Sequence, residues 1–242
     1  MYKINKYYLK DSLIHKLNPI TKIILLLLMI LSCLLSKNII NILIVSIYTI
    51  LLLLLSKINI KIYLNSLINI KVLLIFIIII SLIFKINILT IILTIYKIVI
   101  VILISTMITL TTPPTEITYG LEKILSPFNK IIKVKEIALM ITLALRFIPS
   151  TKEQSERIIK AISVRGINYN GSIKNKLSII SILITPMFIS SIKKSDQISD
   201  IMTVRMYNYS NIRTNYRMNN YQYKDTILLI ITTIILILTI IS

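Results

Sequence analysis

The side chains that could do chemistry are few. The 242-residue chain holds nine acids, one histidine and one cysteine. Acid–base or metal chemistry needs several such groups brought together, and none of the acids forms an aspartate-rich metal motif. His15 has only Asp11 within one helical turn, a pairing expected on a solvated face rather than in a catalytic dyad. Cys33 lies inside an apolar run with no second cysteine to pair with, and reads as a small packing residue. No glycine-rich phosphate loop of the Walker type is present, so ATP hydrolysis is expected to belong to partners. These gaps point away from an enzyme, and no cofactor or metal site is expected.

A second kind of chemistry is written twice. SVRGINYN (Ser163 to Asn170) returns forty residues later as TVRMYNYS (Thr203 to Ser210), and Glu156 and Ile158 upstream have counterparts in Asp196 and Ile198. In the first copy Ile158, Ala161 and Ile162 recur at helical spacing and place Arg165 on the same stripe, one turn further on. In the second, Ile198, Ile201 and Met202 do the same for Arg205. An arginine at a helix C-terminus favours the helix dipole by about 0.3–1 kcal/mol, and basic interfacial residues bind phospholipid. Duplication with matched flanks favours docking instead. Arginine suits that role, since it stays charged and its fork grips a carboxylate with two bonds.

These motifs have to be held by a membrane protein. Hydrophobic residues make up 56% of the chain, mean hydropathy is +0.86 and the net charge is +19, which together define an all-α polytopic membrane class. The basic excess suits anionic lipid rather than nucleic acid, because no soluble domain carries it. Five apolar runs stand out: Ile20 to Ser36, Ile39 to Ser56, Val72 to Phe84, Ile86 to Leu110 and Thr226 to Ser242. A span needs roughly 17–25 helical residues. The third run reaches that only with Asn69 and Lys71 at headgroup level. The polar N-terminus lacks the features of a cleavable signal, so the first run is expected to be a retained span.

Lysine and arginine are concentrated on alternate loops. Lys3, Lys6, Lys10, Lys16 and Lys22 precede or open the first span, and residues 112–225 hold 17 of the 28 basic residues. The positive-inside rule then places the N-terminus and the large polar region in the cytoplasm of a multi-pass plasma-membrane protein. Three regions follow: four spans over 1–111, a coupling region over 112–225, and a last span over 226–242. Lys97, mid-way along the fourth run, either faces other helices or reaches an interface, or else marks a functional site at membrane depth.

In the polar region, Pro113 and Pro114 end the fourth span, and a short helix is expected from Thr115 and Glu116 to Leu125. Lys135 to Pro149 is too short to cross. Pro149 is expected to break or kink its helix, with Ser150-x-x-Glu153 capping a new start. Leu177 to Ile192, interrupted by Pro186, reads as a second helix at or under the membrane surface. Gly166 permits the left-handed cap that ends a helix. Met206 at the matching place opposes it.

In this order, LNPITK (Leu17 to Lys22), TTPPTEITYGLEKILSPF (Thr111 to Phe128), ALRFIP (Ala144 to Pro149), the two arginine motifs and NIRTNYRMNNYQYKD (Asn211 to Asp225) resemble the transmembrane T component of energy-coupling factor transporters. The resemblance implies a scaffold subunit of an ATP-driven uptake transporter. It would link two cytoplasmic ABC-type ATPases to a small substrate-binding membrane protein that imports a vitamin, cobalt or nickel. It assigns ATPase coupling to Val164, Arg165 and Gly166 and to Val204, Arg205 and Met206, with Arg146 and Pro149 as supporting motif residues. Val stands for the family's alanine in both motifs, Met206 for its second glycine, and Asn18 and Ile20 for its N-terminal Asp and Arg. Two other classes make distinct demands. A self-contained channel or secondary transporter needs polar residues lining its spans or inverted repeats, and a membrane-embedded enzyme needs clustered acids or histidines.

Overall fold

The computed structural model describes residues 8, 11–36, 38–85, 87–131, 133–164, 173–207 and 221–241, with side chains omitted at 130 and 173–180. Among the described residues the secondary structure is entirely helical. By contacts the chain divides into two units, Met1–Ala138 with Arg217–Ser242, and Leu139–Tyr216.

In the first unit, α1 (Pro19–Leu35) opens with proline at its first position, and the Asn18 side chain accepts from Ile20 N–H at 2.9 Å. Proline costs nothing there, where no intrahelical partner exists, and asparagine caps the exposed donors. α2 (Ile39–Ser56), α5 (Ile88–Thr111) and α9 (Tyr223–Ile241) follow the apolar runs to within a few residues. These three are each long and apolar enough to cross a membrane. A bent helix pair brings the number that could cross to four, and the 17-residue α1 is a shorter apolar helix beside them.

That pair corrects the expected third span. α3 (Ile60–Asn69) and α4 (Lys71–Ile83) pass the length test only together and meet at 49°. The break is at Ile70, whose backbone (φ −103°, ψ 4°) leaves the helical region between Asn69 and Lys71. The polar pair interrupts the apolar run, and neither proline nor glycine is involved.

α1 lies at the centre of this unit and packs on α9, α6 (Pro114–Leu125), α5 and α2. Met29, Val45, Leu52, Ile104 and Met107 form its core. Buried hydroxyls do the work that small residues do at membrane helix interfaces, in a chain with only three glycines. Ser32, Ser46, Thr49, Thr232 and Thr239 each bond a carbonyl three residues back on their own helix. Each therefore satisfies its polar group without a partner helix and allows close packing.

Lys97 follows the packing alternative. Its Nζ donates to the Ser36 carbonyl, just beyond the last turn of α1. Unsatisfied carbonyls and the negative end of the helix dipole gather there. Cys33 is buried, its Sγ 3.6 Å from the Lys97 carbonyl.

The short helix begins at Pro114, with Glu116 in its first turn. A 3-10 turn, Ser126–Lys130, follows it. α7 (Val134–Val164) then runs unbroken through Pro149, and α8 (Ile173–Val204) runs unbroken through Pro186. The expected new start at Ser150 is therefore absent. An internal proline forfeits one hydrogen bond and crowds the turn before it, but the bonds on both sides of a 31- or 32-residue helix hold. Ser150 serves the second unit instead. Its Oγ accepts from Lys194 Nζ at 3.0 Å, while Gln154 Oε1 accepts from Lys194 at 3.2 Å and from Ser190 at 2.9 Å. Two i, i+4 pairs thus face each other across α7 and α8.

Candidate functional site

The second arginine motif is well defined. α8 ends at Val204, and Val204, Arg205 and Met206 are all exposed. Met206 has φ 52°. Its N–H bonds the Thr203 carbonyl at 3.0 Å, and Tyr207 N–H reaches back to Met202 at 2.9 Å. This pair of bonds is the Schellman arrangement, with Met206 in the position that glycine usually takes.

The expectation that methionine would resist the left-handed cap is therefore corrected. Two satisfied carbonyls outweigh a left-handed cost of about 1–2 kcal/mol. Met206→Gly is expected to remove that strain and to slow amide exchange in the last turn of α8 by up to about tenfold. Unchanged exchange would mean that the cap carries no strain.

In the first motif Val164 ends α7 and is 88% exposed. Arg165 and Gly166 lie outside the described residues. Arg146 and Pro149 are exposed on α7. Of the two stripes, Ile162 is buried, Ile158, Ile198 and Met202 are half-buried, and Ala161 and Ile201 are exposed.

The structure also assembles a site that sequence reasoning left in pieces. Asp225, in the first turn of α9, is fully buried. Its Oδ1 accepts from the Asn18 N–H at 2.9 Å and from the Thr21 hydroxyl at 2.7 Å, and its Oδ2 accepts from Gln222 N–H at 2.8 Å. One carboxylate thus serves the N-termini of α1 and α9 together, where backbone donors and both dipoles favour a negative charge.

One turn away, Lys22 is 1% exposed. It donates to the His15 carbonyl at 3.1 Å and to the Thr111 carbonyl, at the end of α5, at 3.4 Å. Glu116 Oε2 stands 4.0 Å from its Nζ. Burial raises the Glu116 pKa and the Lys22 charge opposes that shift. Lys22, one of the basic residues that precede or open the first span, is therefore interior.

His15 corrects a second expectation. It is buried, its Nδ1 2.6 Å from Ser12 Oγ and its Nε2 3.0 Å from the Tyr8 carbonyl. With Nε2 donating to that carbonyl, Nδ1 accepts from the serine. Burial holds its pKa below the usual value. The ring ties down the segment before α1, while Asp11 is exposed.

α6 is seated on α1 at Gly120. A Cβ there would stand 2.6 Å from Ile23 Cδ1 and 3.3 Å from the Pro19 carbonyl oxygen. A larger residue would have to turn the Ile23 side chain aside and press on the Pro19 carbonyl, so glycine favours this close approach. The available signals for this site were a lysine just inside the first apolar run and an aspartate at the edge of the last, where a charge is costly unless it is paired.

Fold and site together define an all-helical polytopic membrane protein whose first and last apolar helices are joined by a buried acid. Residues 10–216 match the family model described as CbiQ, cobalt transport protein. The chain belongs to that family. It is 40% identical over 129 residues to the energy-coupling factor transporter transmembrane protein EcfT of Listeria innocua, covering 52% of this chain and 49% of that protein. The same-named protein of Bacillus subtilis is 39% identical over 125 residues, 51% of this chain and 47% of that protein. That of Lactococcus lactis is 37% identical over 140 residues, with 56% and 53% covered. The chain spans about half the length of the curated relatives it matches.

Proposed function

We propose that this protein is the non-catalytic transmembrane coupling subunit of an ATP-driven uptake transporter. It links two cytoplasmic ATPase subunits, which hydrolyse the ATP, to a small substrate-binding membrane protein importing a vitamin, cobalt or nickel. The observation that carries this reading is the end of α8: an arginine between two exposed apolar side chains, held on a fully bonded cap. Such a tip offers a groove-filling surface and a charge-assisted bond at one point. Arg165, between Val164 and Gly166, would supply the matching tip to the second ATPase. The names of the relatives support the same assignment. The N-terminus and the region over 112–225 are then cytoplasmic, with the protein in the plasma membrane. The hydroxyls buried in the spans bond their own helices, which favours a scaffold over a self-contained channel.

The test is tagged purification in mild detergent with mass spectrometry of what accompanies the chain. The parent is expected to bring two ATPase subunits and a small membrane protein. Reversing both charges, Arg165→Glu with Arg205→Glu, is expected to weaken ATPase retention by more than about 100-fold, since stranding one buried partner charge costs about 3–5 kcal/mol. Retention at the parental level would mean that the arginines reach only lipid headgroups, and the reading would fail.

A further inference from the structure

The region between the fourth apolar run and the last one is not mechanically uniform. α6 follows α5 after only Thr112 and Pro113, and two independent features bind it to the membrane helices. Gly120 seats it on Pro19 and Ile23 of α1. Glu116, in its first turn, faces the buried ammonium of Lys22 at 4.0 Å. The same ammonium holds the last carbonyl of α5, so the entry to α6 is fixed from both sides. Asp225 in turn ties the start of α1 to α9.

Glu116 Oε2 is buried and accepts no hydrogen bond among the described residues. The lysine is the charge that compensates this carboxylate, whose side chain is 23% exposed. The Lys22–Glu116 pair is thus a contact that helps hold α6 to α1.

Resting on the coupling reading above, we propose that Lys22, Glu116 and Gly120 latch α6 to α1, making α6 part of the membrane body. ATP-driven movement then begins beyond α6, in the long helices that carry the two arginine motifs. The three are positioning residues. They keep α6 from yielding when the coupling helices are pulled, so that the pull reaches α1 and α9 undiminished. A compliant α6 would absorb the motion, and hydrolysis would continue with less of it delivered.

The test uses the complex purified with its ATPases and reads distances between nitroxide labels, in a Cys33→Ser background. One pair, at the exposed positions Leu27 and Leu121, reports α1 against α6. The other, at Leu27 and the exposed Gln197, reports α1 against α8. In the parent, ATP with vanadate is expected to shift the second distance and leave the first unchanged. In Glu116→Gln, which keeps side-chain volume and polarity, the first distance is expected to become nucleotide-dependent while hydrolysis persists. Gly120→Ala, which crowds Ile23 and the Pro19 carbonyl and leaves the charges in place, is expected to do the same. A role limited to stability would lower the unfolding temperature without making the α1–α6 distance follow nucleotide. The latch is overturned if that distance shifts in the parent, or stays fixed in both variants. If the α1–α8 distance never responds while ATP is hydrolysed, or no ATPase accompanies the parent, the coupling reading falls and the latch with it.

Discussion

Asp225→Ala is expected to cost about 3–5 kcal/mol of stability, the scale for leaving a buried ionic network without its centre. The carboxylate is 0% exposed and accepts from three donors in two elements. Alanine would leave the Asn18 and Gln222 amides and the Thr21 hydroxyl without their acceptor. A buried donor so stranded loses about 1–3 kcal/mol. The damage should not be confined to α9, because the Asn18 amide and Thr21 belong to the first turn of α1. Asp225→Asn keeps one acceptor oxygen but turns an NH₂ group toward at least one donor, so an intermediate loss is expected. Thermal unfolding in detergent measures both. An alanine variant with the parental Tm would show that water replaces the carboxylate freely and that the site is not sealed.

Lys22→Met comes next in size. Methionine matches the length of the lysine stem and fills the same interior space, so packing changes little. What is lost is the ammonium. The His15 and Thr111 carbonyls would lose a donor at a site that is 1% exposed, and Glu116 would lose the cation 4.0 Å from it. A loss of about 3 kcal/mol is expected from the two carbonyls together. Glu116 softens the effect, because its raised pKa lets it take up a proton rather than remain charged and unpaired. The loss should therefore be greater at neutral pH than in mildly acidic buffer. A pH-independent loss would mean that Glu116 does not sense Lys22.

Both expectations concern residues that were visible in the sequence but could not be connected there. LNPITK, TTPPTE and the acid before the last apolar run stood as three separate signatures. Asn18 and Asp225 are 207 residues apart, and Lys22 and Thr111 are 89 apart. No periodicity joins residues at such separations. The local proline rule also reached only part of the answer. Pro149 was expected to break or kink its helix and Pro186 to interrupt its own, and each lies inside a continuous helix of more than 30 residues. The local cost of one lost bond was correct, but the length of helix on either side outweighed it. At Met206 the same local rule was overruled by two capping bonds.

What composition and pattern settled was whatever depends on short-range chemistry. The long apolar runs became α1, α2, α5 and α9, since an apolar stretch of that length has no alternative to a helix in a membrane. Proline at the first position opened α1, and Pro114 opened α6, because the missing N–H costs nothing there. The helical spacing that leads to each arginine was readable in the same way. Tertiary structure alone decided which charges are interior and that Gly120 is a seat between helices. Those outcomes depend on which distant side chain or helix end arrives to satisfy a buried group. A buried lysine and a lipid-facing lysine are the same letter until the carbonyls of His15 and Thr111 are brought to one of them.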